Sequence, residues 1–116
     1  MPKVRPFHDS DDVEPLGYLV RCPGCGVIHA LYVRAPNERG ARWTFSGDIE
    51  SPTFSPSLLH QKDNPNGRCH SFIKAGFFEY LPDCHHRLAG NRIEIPEWPL
   101  AEFDRVSVFG NDYEEG

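Results

Sequence analysis

The chain has 116 residues, with a formal net charge of −5 and a pI near 5.6. This length suits one small domain, and the acidic charge argues against a protein that binds nucleic-acid phosphates through a dense lysine and arginine surface. The sequence contains no run of about eighteen apolar residues and no amino-terminal apolar segment of signal-peptide length. We therefore expect a cytoplasmic protein, in the host cytoplasm if it is phage-encoded, without a membrane span.

Hydrophobic residues make up 39% of the chain, and 11 prolines and 10 glycines accompany them. This balance predicts a folded core built from short elements and ordered loops. We expect a mostly β single domain of short antiparallel strands, resembling a zinc ribbon and with at most a short helical turn, over residues 17–110. A flexible acidic leader over residues 1–16 and an acidic tail over residues 111–116 are expected to flank it.

The first two predicted strands flank a sequence that is typical of a zinc knuckle. Gly17–Cys22 and Val27–Arg34 are rich in β-branched and aromatic residues, and Cys-Pro-Gly-Cys ends at Cys25 between them. Two thiolates on such a tight turn can bind one metal ion. In the second strand, alternation places His29 on the side of aliphatic core candidates, where a hydrogen-bonded core histidine is more usual than a metal ligand.

A short aromatic strand is predicted over Arg42–Phe45, and an unusual segment follows it. Ser51–Ser57 contains two prolines among four hydroxyl side chains, a composition that disfavours both a helix and a central sheet position. The favoured interpretation is an extended edge segment with Phe54 packed inward. The alternative is a rigid loop that offers its hydroxyls to a ligand.

The sequence from Cys69 to Cys84 predicts a β-hairpin that turns at Ala75-Gly76. In that register, residues whose numbers sum to about 151 face each other, so the two cysteines converge at the open end of the hairpin. On the first strand, Cys69 and His70 point to opposite faces. They cannot easily bind the same metal ion without a bulge, and we prefer Cys69 as the ligand.

The four cysteines together predict one four-thiolate zinc site, formed by Cys22, Cys25, Cys69 and Cys84. A reducing cytoplasm favours this site over two disulfides. A thioredoxin-like redox pair would need the Cys-x-x-Cys motif to begin a helix, whereas β-branched and aromatic residues follow it here. Histidines remain alternative ligands or members of a second site, namely His29, His70 and His86.

The last part of the domain is predicted to contain one helical turn and two strands. Asp83 can cap a turn over residues 84–89, and Gly90 can end it. Asn91–Ile95 and Asp104–Phe109 have the composition of strands.

Several motifs occur in a fixed order over residues 18–99: Cys22-Pro-Gly-Cys-Gly with His29, Trp43–Asp48, Pro52–Ser57, Cys69–Phe72, and Asp83–His86 followed by Leu-Ala-Gly90. Together they resemble a family of small phage and prophage proteins that often carry the label ammonia monooxygenase. The resemblance implies a compact metal-binding domain, a phage or prophage origin, and relatives encoded beside bacterial ubiquitin-like conjugation genes. It also implies a shared surface formed by Pro52–Ser57 and the three histidines.

Monooxygenase chemistry requires a redox-active copper or iron site with open positions, whereas thiolates are the clearest ligands here, so we do not expect a monooxygenase. We expect a zinc-binding module that interacts with a host or phage protein and possesses no catalytic residues. The alternative is a small zinc-dependent hydrolase in which His70 or His86 belongs to an open metal site. The sequence shows no Ser, His and Asp constellation with an assignable nucleophile.

Overall fold

The fold is mostly β, as the sequence predicts. A computed structural model describes residues 2–9, 14–61, 64 and 67–98, and no helix occurs among them. The described segments contain no helix long and apolar enough to cross a membrane. The strands form two antiparallel sheets.

The first sheet has the order β1-β2-β3. Its strands are β1 (Val4–Phe7), β2 (Gly17–Cys22) and β3 (Val27–Tyr32). The tight turn between β2 and β3 carries the Cys-Pro-Gly-Cys motif, and the amide of Gly26, a residue with φ of 76°, donates to the Cys22 carbonyl. This turn brings the knuckle to one end of the sheet.

The second sheet has the order β4-β5-β6-β7-β8. Its strands are β4 (Thr44–Asp48), β5 (Ser51–His60), β6 (Cys69–Lys74), β7 (Phe77–Tyr80) and β8 (Arg92–Glu94). The predicted hairpin register is confirmed, because Ser71 pairs with Tyr80 and Lys74 pairs with Phe77. Ala75 and Gly76 both have positive φ, as a two-residue hairpin turn requires.

The main core lies between the two sheets. Each strand alternates, so that one set of side chains points inward, and the inward set includes Val20, Leu31, Phe54, Ile73 and Phe78, none more than 2% exposed. The cysteines and His29 occupy one end of this layer. A smaller cluster of Phe7, Leu19, Ala30 and Trp98 covers the other face of the first sheet.

Two local predictions differ from the structure. Val4–Phe7 lies within the predicted flexible leader, yet it forms β1, because Val4 and Phe7 are buried and the strand pairs with β2. Residues 84–89 form successive turns instead of a helical turn. The predicted strand over Asp104–Phe109 and the tail over residues 111–116 lie outside the described residues.

The predicted edge position of Ser51–Ser57 is also wrong. This segment belongs to β5, which lies between β4 and β6. The two prolines are tolerated because Pro52 is the second residue of the strand, and Pro56 lies where the register with β6 shifts between Phe54 and Leu58. Phe54 packs inward at 2% exposure, as predicted.

Candidate active site and candidate metal centre

Three of the four predicted metal ligands meet between the sheets. Cys22 ends β2, Cys25 follows in the turn, and Cys69 begins β6; each side chain is no more than 3% exposed. Their sulfur atoms all lie within 4.8 Å of one another, and the Cys22 and Cys69 sulfurs are 3.8 Å apart. A tetrahedral zinc ion with Zn–S bonds of about 2.3 Å requires sulfur atoms about 3.8 Å apart. The donor set therefore fits a metal ion.

The electrostatics of the three thiols favour one charge at a time. Hydrogen bonds from the thiols of Cys25 and Cys69 lower the pKa of Cys22, and His29 contributes a smaller effect in the same direction. The same contact with Cys22 raises the pKa of Cys25 to about 12 and also raises the pKa of Cys69. A divalent cation would allow all three thiols to ionise together, because a bound metal deprotonates the thiols that bind it.

Cys84 occupies a different environment from the other three cysteines. The backbone amide of His70 donates to the Cys84 sulfur at 3.2 Å, and the thiol donates to the His70 carbonyl at 3.1 Å. Its sulfur lies close to the ligand atoms of Cys69 and His86, and the ring Nε2 of His86 is 3.3 Å from the Cys69 sulfur. Cys84 thus approaches Cys69, as the hairpin predicts, but does not belong to the group of Cys22, Cys25 and Cys69.

His29 lies beside Cys25. It is 1% exposed, and its two ring nitrogens have no hydrogen-bond partner among the described residues. One of these nitrogens lies within 4.8 Å of the Cys25 sulfur and of a His60 nitrogen. The Asn64 amide donates to the Cys25 sulfur at 3.4 Å and to the His60 carbonyl at 3.2 Å. His29 is therefore a buried polar side chain beside the thiols whose ring nitrogens are available to bind a metal ion.

A second constellation lies on the outer face of the second sheet. The Ser57 hydroxyl is 3.2 Å from Nε2 of His70, and Nδ1 of His70 is 3.1 Å from a carboxylate oxygen of Asp83. The Arg68 Nε atom also lies 3.1 Å from that carboxylate oxygen. This order of hydroxyl, imidazole and carboxylate is that of a Ser-His-Asp triad.

Strand pairing produces this arrangement. Leu59 faces His70 across β5 and β6, which places Ser57 two residues away on the same outward face. The amide of Leu81 then donates to the His70 carbonyl, and this bond returns the chain to His70 just before Asp83. Three residues from distant parts of the sequence therefore meet at one point.

The charges in the triad hold the His70 ring in one orientation. The hydrogen bond with His70 holds the pKa of Asp83 below its usual value, with a smaller contribution from Arg68. An ionised Asp83 accepts the proton on Nδ1, so Nε2 carries the lone pair that accepts the Ser57 hydroxyl. The side chains of His70 and Asp83 are 25% and 44% exposed, so the group is open to a substrate.

The structure separates the sites that the sequence analysis joined. His70, an alternative metal ligand at that stage, has both ring nitrogens beside Ser57 and Asp83 and lies outside the metal groups. The Ser, His and Asp constellation is not recognisable in the sequence, because the sequence alone does not predict that β5 pairs with β6. The hydroxyl-rich segment ending at Ser57 was the available signal, and its ligand-binding interpretation came closest.

The family to which this chain is similar agrees with a Ser-His-Asp triad. The chain matches the family described as "Bacterial ubiquitination-like system serine protease (BubE)" over residues 5–81, about two thirds of its length. The matched region includes Ser57 and His70, and Asp83 lies two residues beyond it. No curated protein and no solved structure gave a significant match.

Proposed function

Because the chain belongs to the BubE family, the bacterial ubiquitination-like system serine proteases, we propose that it is a serine protease whose nucleophile is Ser57. His70 is the general base and Asp83 orients it. The observation that carries this proposal is the continuous chain of contacts from the Ser57 hydroxyl through both nitrogens of His70 to the Asp83 carboxylate. It replaces the expectation of a protein without catalytic residues.

The triad geometry gives each residue a step in acyl transfer. Ser57 Oγ attacks the scissile carbonyl while its proton moves to Nε2 of His70, and the Asp83 carboxylate stabilises the resulting imidazolium. The imidazolium then donates this proton to the leaving amine, which breaks the scissile bond and leaves an acyl group on Ser57. His70 deprotonates a water molecule that attacks the acyl-enzyme, and Ser57 recovers its proton as the acid product departs.

We assign a structural zinc ion to the buried thiols. Cys22, Cys25 and Cys69 supply three ligands, and His29 is the proposed fourth ligand because its buried nitrogens have no described hydrogen-bond partner. The Cys84 and His86 pair, which forms a second group with Cys69, is the alternative. When bound, zinc supplies a cross-link between the two sheets, and no catalytic step passes through it.

The zinc-dependent hydrolase loses its main support in this arrangement. That alternative required His70 or His86 in an open metal site, but the nitrogens of His70 contact Ser57 and Asp83. His86 contacts the Cys69 sulfur within a thiol-rich, largely buried cluster. Three thiolates and one histidine form a closed site that suits a structural role.

The biological setting of the proposed protease is a bacterial ubiquitination-like system, in which its substrate is a protein. We propose that a ubiquitin-like protein or one of its conjugates is this substrate, since such systems join and separate protein chains. A protease that binds this protein substrate would keep part of the role expected from the sequence, which was interaction with another protein. Phage or prophage origin, modulation of a host or defence protein and location in the cytoplasm stay as predictions.

Active-site labelling tests the nucleophile without knowledge of the substrate. A fluorophosphonate reacts with an activated serine, so the wild-type protein should be labelled at Ser57, as mapped by mass spectrometry. Ser57→Ala and His70→Ala should abolish labelling. Ser55→Ala is the matched control, because Ser55 is an exposed serine on the same strand, and it should react like the wild type. Undiminished labelling of a folded Ser57→Ala variant would overturn the proposal.

A further inference from the structure

A cavity of about 250 Å³ lies beside β5, against the two residues that follow the proposed nucleophile, whose own side chain is outside the lining. Leu58 and Leu59, the two residues after Ser57, form one wall. Trp43 forms another wall, and its indole nitrogen donates to the Ser57 carbonyl at 3.4 Å. The cavity therefore lies against the backbone of β5 immediately after Ser57.

The strand pairing leaves room for this cavity. β4 pairs with β5 only as far as Ser55, and in the described part of the chain the segment from Leu58 to His60 pairs with β6 alone. The cavity lies along this open edge of β5. Leu59 is 46% exposed and is the large hydrophobic residue most open to solvent in the described structure. Its cross-strand neighbour is His70, the proposed general base.

The lining defines the chemistry of a ligand. The walls are mainly apolar, and three side chains of the lining supply polar groups: His29, Asn37 and Arg39. The apolar part of the lining consists of Ala30, Ala41, Trp43, Leu58 and Leu59. The volume is below the roughly 300–1,000 Å³ of pockets for drug-sized ligands, so it suits one side chain. Arg39 is exposed and forms no ion pair with a described carboxylate, which leaves its guanidinium available to an acidic group.

We infer that this cavity is the specificity pocket of the proposed protease, and the inference rests on that function. It binds an apolar side chain, leucine or phenylalanine in size, on the acyl side of the scissile bond. Arg39 binds an acidic side chain next to it in the substrate. Burial of the apolar side chain beside Ser57 holds the carbonyl group in position for attack.

Amino-acid esters test the pocket directly. The probes are p-nitrophenyl esters of N-acetyl-leucine, N-acetyl-alanine, N-acetyl-glutamyl-leucine and N-acetyl-glutaminyl-leucine. Ser57 attacks the ester carbonyl, p-nitrophenolate leaves, and water then releases the acid. The wild type should hydrolyse the leucine ester at least about tenfold faster than the alanine ester in kcat/KM, because one or two buried methylenes contribute on that scale. It should also favour glutamyl over glutaminyl.

Variants assign these preferences to the cavity. Ala41→Leu should fill it and reduce the leucine preference several-fold, while Ala35→Leu, in the same loop and outside the lining, should leave it unchanged. Arg39→Glu should abolish the glutamyl preference. Arg42→Glu carries the same change of charge nearby, and Arg42 donates to the Val33 carbonyl outside the cavity, so it should keep the preference.

The results of these experiments distinguish failure of the pocket proposal from failure of the protease proposal. Labelling of Ser57 by a fluorophosphonate with equal rates for leucine and alanine esters would overturn the pocket alone. The pocket also fails if the ester preferences exist but Ala41→Leu and Ala35→Leu change them equally. Ester hydrolysis that survives in Ser57→Ala, together with absent labelling, would overturn both the protease and the pocket that rests on it.

Discussion

The metal cluster and the triad use opposite faces of one shared strand, β6. On β6, Cys69 points inward at 1% exposure, while the next residue, His70, points outward and is partly exposed. Asp83 and Cys84 are likewise neighbours in sequence that join different sites. The comparison teaches that one hairpin can orient a buried cross-link and an open reactive group together, because alternate residues face opposite sides of a sheet.

The largest expected effect is the loss of both the metal site and the triad when a ligand of the buried metal site is replaced. Cys22→Ser removes a thiolate from the group that connects β2 to β6. Structural zinc contributes an apparent free energy of about 10–16 kcal/mol, as much as the whole stability of a typical domain. We expect the variant to lose zinc and cooperative unfolding, measured by native mass spectrometry and circular dichroism. A folded variant that still binds one zinc ion would contradict the structural assignment.

The second largest effect is expected from a change in the triad, which should lower activity and leave the fold intact. Asp83→Asn removes the carboxylate that orients His70, and comparable changes in triads lower kcat by about 10⁴-fold. Ester hydrolysis and thermal unfolding measured on the same sample check this separation. Equal activity of the variant and the wild type would remove Asp83 from the mechanism.

The lowered pKa of Asp83 also gives a pH dependence. Since folding lowers this pKa, the ionised form stabilises the native state above the usual aspartate pKa, and that contribution is lost as the pH falls through the lowered value. Asp83 is exposed, so this contribution should be small. The difference in melting temperature between the wild type and Asp83→Asn should shrink toward acid pH; a growing difference would contradict the sign.

A smaller effect should identify the fourth metal ligand. His29→Ala should weaken zinc binding more than the roughly 10–100-fold that an outer-shell partner contributes, because it removes a direct ligand. Cys84→Ala, the matched variant in the second group around Cys69, should retain most of the affinity, since the Cys84 thiol bonds to the His70 backbone. Competition with a chromogenic chelator measures both values. The reverse order would assign the site to Cys84, as the sequence analysis first predicted.

The smallest effect concerns the support of the triad by Arg68. Its Nε atom lies 3.1 Å from the Asp83 carboxylate, and both side chains are partly exposed. Such pairs contribute at most about 1 kcal/mol, so Arg68→Gln should lower kcat by no more than about fivefold. Lys74→Gln is the control, because Lys74 pairs with Glu79 elsewhere on the same sheet and should leave kcat unchanged.

Local signals in the sequence were sufficient for the hairpin and the knuckle. The turn at Ala75-Gly76 fixed the register of β6 against β7, and the spacing of Cys22 and Cys25 predicted a common site for their thiols. Alternation correctly separated Cys69 from His70. These features depend on neighbouring residues, whose relative positions the backbone geometry determines.

Only the tertiary structure decided the composition of the two sites. Ser57 meets His70 because β5 pairs with β6 across a long loop, and loop composition does not specify which residues pair. A slip of one residue would turn Ser57 inward and separate the triad. In the same way, the contact of Cys84 with the His70 backbone and the burial of His29 beside Cys25 arise from packing of the two sheets. Distant residues become ligands or catalysts through such packing, which the periodicity of a single strand does not contain.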